Sequence, residues 1–396
     1  MKKLLGMLLS AVLLLALFAV PAAAAEDNFH IAIITGSEVQ TEDNLLGARD
    51  FQAKYGEDRV KLGTYPDKFT EEQQTTVDMI VAFAEDPLMK AIIVDQGVPG
   101  TAEGFQLVKE IRPDILCLAG QSHEDLAYIS DYADLVIKSD FVARGYLIIR
   151  TAHDLGCDTF VHISFPRHEA SEAMSRRISI MKAACEEMGI KFVRETAPDP
   201  TQVETSVAQA FIEQNVPVWV NEKYGKNAAF YCTNDAHTEP LIRQLLANGG
   251  YFIEADLPSP LMGYPGALGL DLSDAGNDFS KILPLVEKAV CEKGGAGRFG
   301  TWTSSFGYSL TAGLAQHAWN VIKGEAQMLN MEDFFAAVDV FAPGSKWNGS
   351  TYTDAVTGAV NNKAFLIYQD TYIMGNPGRY MNTTAVTVPE KYFTIR

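Results

Sequence analysis

Polar and ionisable side chains collect directly behind short apolar runs along this chain, where a folded sheet would present them to a small polar molecule. In the first half, Thr35, Gly36, Ser37 and Glu38 close the run beginning at Ile31. Asp95, Gln96 and Gly97 follow Ala91 to Val94, and Gln121, Ser122 and His123 follow Ile115 to Leu118. In the second half, Ser164, Phe165, Pro166, Arg167 and His168 follow Thr159 to Ile163. Thr233, Asn234 and Asp235 follow Ala229 to Cys232, and Glu254, Ala255 and Asp256 end the run from Tyr251. Amide, hydroxyl, carboxylate, imidazole and guanidinium groups together suit orientation of a polar ligand.

Arg167 is the leading anchor, because its planar fork can clamp a carboxylate, a phosphate or vicinal hydroxyls. An exposed loop arginine is the competing reading. If it anchors ligand, Arg167→Ala weakens binding more than roughly tenfold while the fold survives. Trp302 can stack on a sugar or base face or pack in a core. Asn234 and Asp235, just before a helical stretch, serve either as a ligand pair or as a helix cap.

Chemistry is the rival. A lyase or hydrolase would use His123, His168 and His237 with Glu254 and Asp256 as general acid and base. No Gly-x-Ser-x-Gly, Walker or Gly-x-Gly-x-x-Gly signature follows an expected strand. His162, His168 and His237 lack the i, i+4 spacing of a zinc protease or a cysteine partner at finger spacing. The expectation is therefore no catalytic set, no metal and no cofactor.

These positions need parallel sheets to carry them. Apolar runs of strand length alternate with stretches of helical period, first over Ile31 to Thr35, Val60 to Thr64, Ala91 to Val94, Ile115 to Leu118 and Leu135 to Ile137. Helices are expected between them near Glu42 to Lys54, Glu71 to Phe83 and Ala102 to Ile111. A second series has strands at Thr159 to Ile163, Lys191 to Arg194, Ala229 to Cys232 and Tyr251 to Glu254. Its helices are Phe141 to Leu155, capped by Asp140 and stopped at Gly156, then Ala170 to Met188, Gln202 to Gln214, Glu239 to Ala247 and Phe279 to Cys291. The stretch Asp256 to Gly269 is too rich in Pro and Gly for a regular element and reads as an ordered loop or a flap. A short strand near Phe299 to Thr301, a helix Leu310 to Lys323 and a strand Phe365 to Tyr368 complete the chain.

Lys2 and Lys3, an apolar run from Leu4 to Val20 and the small residues to Ala25 read as a secretory signal peptide cleaved near Ala25, with an uncleaved anchor as the alternative. The expected location is periplasmic, or cell-surface or extracellular. About 370 residues then remain, enough for two cores. The expected division is residues 26–140 for an N-terminal lobe, 141–300 for a C-terminal lobe and 301–396 for a segment that recrosses the hinge and completes both. Net charge is −18, which repels nucleic acid and anionic lipid. Cys117, Cys157, Cys185, Cys232 and Cys291 show no metal spacing and read as buried hydrophobes, with a structural disulfide as the alternative.

Five segments resemble an uncharacterised bacterial exported family, a domain of unknown function whose members look like type 1 periplasmic binding proteins. They are I-A-I-I-T-G-S from Ile31, V-P-G-T-A from Val98, F-V-H-I-S-F-P-R-H from Phe160, C-T-N-D-A-H-T-E-P from Cys232 and E-A-D-L-P-S-P-L-M-G-Y-P-G-A-L-G from Glu254. More distantly, the order of elements is similar to sugar and nucleoside binding proteins and to sensor cores of related repressors, including D-x4-G-x10-G from Asp140 through Gly145 to Gly156. The resemblance implies a two-lobed α/β fold, each lobe a mostly parallel sheet covered by helices. It also implies ligand contact at Asn234 and Asp235. The Pro-rich loop and the long tail after Lys323 depart from that pattern and weigh against a simple sugar.

The combined expectation is an extracytoplasmic solute-binding protein, hinged near Asp140, near Thr303 and in the terminal section. It closes on a small polar solute of the sugar, nucleoside or carboxylate class. Its partner is the membrane permease of an ABC-type importer, or alternatively a sensor kinase. The expected contacts are Thr35, Ser37, Asp95, Gln96, Gln121, His123, Ser164, Arg167, His168, Asn234, Asp235, Glu254, Asp256 and Trp302.

Overall fold

The computed structural model describes residues 28–396, so the signal-peptide reading lies outside the described residues. Fourteen strands are described. They are β1 (His30–Thr35), β2 (Val60–Thr64), β3 (Met89–Asp95), β4 (Leu116–Gly120), β5 (Leu135–Ser139), β6 (Thr159–Ser164), β7 (Lys191–Thr196), β8 (Ala228–Cys232), β9 (Tyr251–Phe252), β10 (Gly300–Thr301), β11 (Trp347–Thr353), β12 (Val360–Gln369), β13 (Tyr372–Ile373) and β14 (Arg379–Tyr380). The first lobe is a seven-stranded sheet ordered β11-β12-β5-β4-β3-β1-β2, and the second a four-stranded sheet ordered β7-β6-β8-β9. All pairs in both are parallel except β11 on β12. A small antiparallel sheet, β10-β13-β14, adjoins the second lobe, where Phe299 bridges to Phe252 of β9.

Continuous apolar runs make the central strands because both faces are covered. In β3, Ala91, Ile92, Ile93 and Val94 are all fully buried. Helix pairs cover the sheets: Glu38–Tyr55 with Phe306–Ile322 and Gln73–Ala84 with Thr101–Ile111 in the first lobe. Phe141–Asp154 packs with Glu172–Met188, and Thr205–Val218 with Asp235–Asn248. The Asp140 carboxylate accepts from the backbone N–H of Val142 and Ala143, capping the helix Phe141–Asp154. The glycines read with it have separate reasons. A Cβ on Gly145 would stand 2.8 Å from Ile180 Cγ2 in the helix packed against it, and Gly156 adopts φ +83 where the chain turns off the helix.

The chain runs between the lobes after Asp140, near Thr303 and beyond Gln369. These stretches are tied together: Asp140 N–H donates to the Ile367 carbonyl, and Gln369 Nε2 donates to Ser304 Oγ at 2.9 Å. Arg144 and Glu254 make a buried ion pair beside them.

Some elements differ from expectation. Strand β11 reads W-N-G-S-T-Y-T and has one buried side chain, Tyr352, so it lacked an apolar signal. The helices Leu126–Ser130 and Met331–Asp339 were likewise unforeseen. The Asp256 to Gly269 stretch holds a short helix, Tyr264–Leu268, against the expectation of no regular element. Tyr264 is buried and donates to the Gly300 carbonyl at 2.7 Å, so packing fixes the loop. All five cysteines are free thiols, four of them buried. No helix among the described residues is long and apolar enough to cross a membrane.

Candidate functional site

The carboxyl ends of β1, β3 and β4 and of β6 and β8 carry the loops that meet between the lobes, as parallel sheets arrange them. Between them lies a cavity of about 210 Å³. Gln40, Thr41, Tyr65, Phe69, Gln96 and His123 form the first-lobe wall. His168, Thr233, Asn234, Asp235, Asp256 and Leu257 form the opposite one. Larger cavities occur elsewhere, including one of about 470 Å³ beside Cys291, but they do not collect strand-end groups from both sheets.

Each wall is braced. Gln96 and His123 are joined at 2.7 Å between Oε1 and Nε2, and Phe69 stands edge-on to the imidazole with centroids 5.5 Å apart. Tyr65 packs edge-on against Phe69 in turn. Across the cleft, His168 Nδ1 lies 3.2 Å from Thr233 Oγ1, which is 2.8 Å from Ser164 Oγ. The His168 ring also rests on Phe165 at 4.2 Å. Asn234 Oδ1 accepts from the Ala236 N–H, so it caps the helix Asp235–Asn248 and lines the cleft as well.

The electrostatics are uneven. Burial lowers His123 to about 4, assisted by the positive charge of Lys138, and burial also lowers His168; both rings are neutral near pH 7. Burial opposes the Asp256 charge, but Arg177 and Arg144 together with the Tyr231 hydroxyl outweigh it and lower the pKa. Arg177 Nη2 is 2.5 Å from Asp256 Oδ1, and Tyr231 donates to that oxygen at 2.6 Å. Asp235 has no such partner among the described residues. Its enclosed position raises its pKa to about 7, with the charges of Asp256 and Asp43 adding to the effect. Its side chain is nevertheless exposed to water within the cleft, and that solvation moderates the rise.

Gln96, His123, His168, Asn234, Asp235 and Asp256 are thus the expected residues that the fold brings to the cavity. The other expectations need correction. Thr35 is buried and donates to the Gly36 carbonyl, and Ser37 donates to Asp67 at 2.6 Å away from the cavity wall. Asp95 is buried beneath Gln96 and accepts from Thr311. Gln121 Oε1 accepts from the Ser139 N–H, and Ser164 lies buried behind Thr233. Glu254 is engaged by Arg144, and Trp302 is fully buried with its indole N–H donating to Glu254 at 3.0 Å.

Arg167 holds Asp199 through two hydrogen bonds of 2.7 and 3.0 Å on a half-exposed surface. Arg167→Ala should therefore leave ligand affinity within about twofold of wild type and cost at most about 1 kcal/mol of stability. A tenfold loss in calorimetric affinity would restore its anchoring role.

Tyr65 and Phe69 went unnoticed because they lie after β2, a strand whose following residues, Y-P-D-K-F, read as a turn. Gln40 and Thr41 sit at the start of the helix Glu38–Tyr55, where Thr41 leaves helical geometry and kinks the chain. Neither cleft imidazole bonds a carboxylate, since His123 meets Gln96 and His168 meets Thr233. No group of three or more metal-ligating side chains is assembled among the described residues.

Residues 29–300 match the family described as protein of unknown function (DUF3798). The chain belongs to that family. Residues 311–395 of this DUF3798 protein match a second family. An uncharacterised protein of Treponema pallidum (strain Nichols) is 39% identical over 212 residues, covering 53% of this chain and 95% of its own. Among solved structures, a putative transcriptional regulator from Clostridium difficile 630 is 20% identical with a TM-score of 0.77, over 88% of this chain and 99% of the other. A sugar ABC transporter protein from Actinomyces odontolyticus ATCC 17982 has a TM-score of 0.53 at 12% identity, over 86% of this chain and 95% of the other. The DUF3798 protein therefore has the two-lobed α/β fold of type 1 periplasmic binding proteins, as its sequence resemblance implied.

Proposed function

We propose that this DUF3798 protein is an extracytoplasmic solute-binding protein that closes on a small polar ligand and serves an ABC-type importer. The observation carrying this reading is the cleft, where strand-end side chains from two separate sheets face one cavity of about 210 Å³. Contacts from both lobes favour the closed form by the difference between the ligand's affinities for closed and open forms. The cavity is slightly smaller than the usual range of roughly 300–1,000 Å³ for small-molecule pockets, which favours a compact solute. Fold-sharing proteins described as a sugar ABC transporter component and as a solute-binding protein with bound D-allose support the transport role. The apolar leader supports export.

A sensing role is the second reading, favoured by the similarity to the putative regulator. Binding itself is common to both. A thermal-shift screen of sugars, nucleosides, amino acids and carboxylates, followed by recovery of each hit, should return a stabilising compound intact. A chemically altered compound would replace binding with catalysis. Gln96→Ala and His168→Ala, one from each wall, should each weaken binding of the identified compound by about tenfold, the loss of one well-made polar contact. Full affinity in both variants would remove the cleft from consideration.

A further inference from the structure

Resting on the solute-binding reading, we infer that the ligand is a small organic cation whose ammonium group is held by Asp235, across the cavity from Phe69. The cavity wall contains the carboxylates of Asp235 and Asp256 and no lysine or arginine among the described residues. Asp256 is already neutralised by Arg177. The other nearby cations are engaged elsewhere: Arg144 by Glu254, Arg167 by Asp199, and Lys138 by the Ser122 carbonyl at 2.7 Å. Asp235 alone reaches the cavity without a donor or a cation.

This arrangement discriminates among ligand charges. Closing the lobes over a neutral molecule would exclude water from Asp235 with nothing in the wall to compensate its charge, so the carboxyl would have to take up a proton, a cost that an ammonium partner removes. An anion would meet like charge at short range, and no cation in the wall would answer it. An ammonium group supplies both the missing charge and N–H donors. The helix N-terminus at Asp235 supplies only partial positive charge, so a full cation still adds stabilisation. Phe69 lines the same cavity, with Tyr65 buried against it, and an aromatic ring there would attract a cation. The chain's net charge of −18 would draw cations rather than anions toward it.

Two matched probe sets test the inference by calorimetry: glucosamine, glucose and glucuronate, and butane-1,4-diamine, butane-1,4-diol and butanedioate. At least one ammonium-bearing probe should bind at least about tenfold tighter than its neutral and anionic matches. Its affinity should fall by at least about tenfold in Asp235→Asn and decline with added salt. A folded Asp235→Asn variant that retains full affinity overturns the inference, as does salt-independent binding. If neutral or anionic compounds bind, in these sets or in the wider screen, while the ammonium probes do not, the cation inference fails and solute binding stands. If no compound in either experiment binds, both readings fail.

Discussion

Glu254→Ala should destabilise the protein by about 3–5 kcal/mol, the loss expected when one partner of a buried ion pair is removed. Arg144 and Glu254 are each only 2% exposed. Arg144 Nε donates to Glu254 Oε1 at 2.8 Å, while its other nitrogens donate to Ser139 Oγ and to the carbonyls of Ala255 and Asp256. Glu254 Oε2 accepts from Trp302 Nε1, and Thr371 lies 3.3 Å away from it. Residues from all three stretches passing between the lobes therefore converge on one carboxylate. Alanine would leave a guanidinium and an indole N–H buried without that acceptor. Chemical denaturation should show a lowered midpoint, and an unchanged midpoint would show that water replaces the carboxylate at little cost. Glu254→Met combined with Arg144→Met should recover much of the loss, because paired apolar replacements avoid the stranded charge. That recovery would separate the cost of breaking the pair from its net worth.

The alternation of apolar runs and helical stretches made the central strands legible, since side chains buried on both faces leave an uninterrupted apolar signature. Strand β11 escaped because an edge strand with polar residues carries no such signature. At the site, strand-end position identified Gln96, His123, His168, Asn234, Asp235 and Asp256, which line the cavity. Position did not reveal direction. Glu254 ends its run two residues before Asp256, yet Arg144 draws it in among the segments that cross between the lobes while Asp256 reaches the cleft. Arg167 illustrates the same difficulty: its choice between ligand and Asp199 depends on a residue 32 positions away. Tyr65 and Phe69 were hidden for another reason, since aromatic residues in a turn look like local packing until the second lobe supplies the opposite wall.

Asp95→Asn should become progressively more stable relative to wild type as pH rises from about 4 to 8, by as much as about 4 kcal/mol. Burial raises the Asp95 carboxyl from its ordinary 3.8 to about 7, with hydrogen bonding from Thr311 and Asn44 acting in the opposite direction. The native state therefore holds this proton more tightly than the unfolded state. Below 3.8 both states are protonated and no penalty exists; above it the penalty accumulates until the folded group also ionises near 7, then stays constant. Asparagine has no such term. Wild-type stability alone would obscure the effect, because burial lowers His162 to about 3 and His123 and His237 to about 4. Those groups favour the native state increasingly as pH rises toward 6.5, the direction opposite to Asp95. The difference between variant and wild type cancels them, so denaturation of both proteins across this range is the decisive comparison. A flat difference would mean that Asp95 ionises in the native state as readily as in the unfolded chain. Thr311 Oγ1 donates to Asp95 at 2.7 Å from the helix Phe306–Ile322, and Gln96 follows directly in the chain. The near-isosteric amide should preserve that support and leave ligand affinity within about threefold, separating a stability term beneath the cleft from the binding contacts within it.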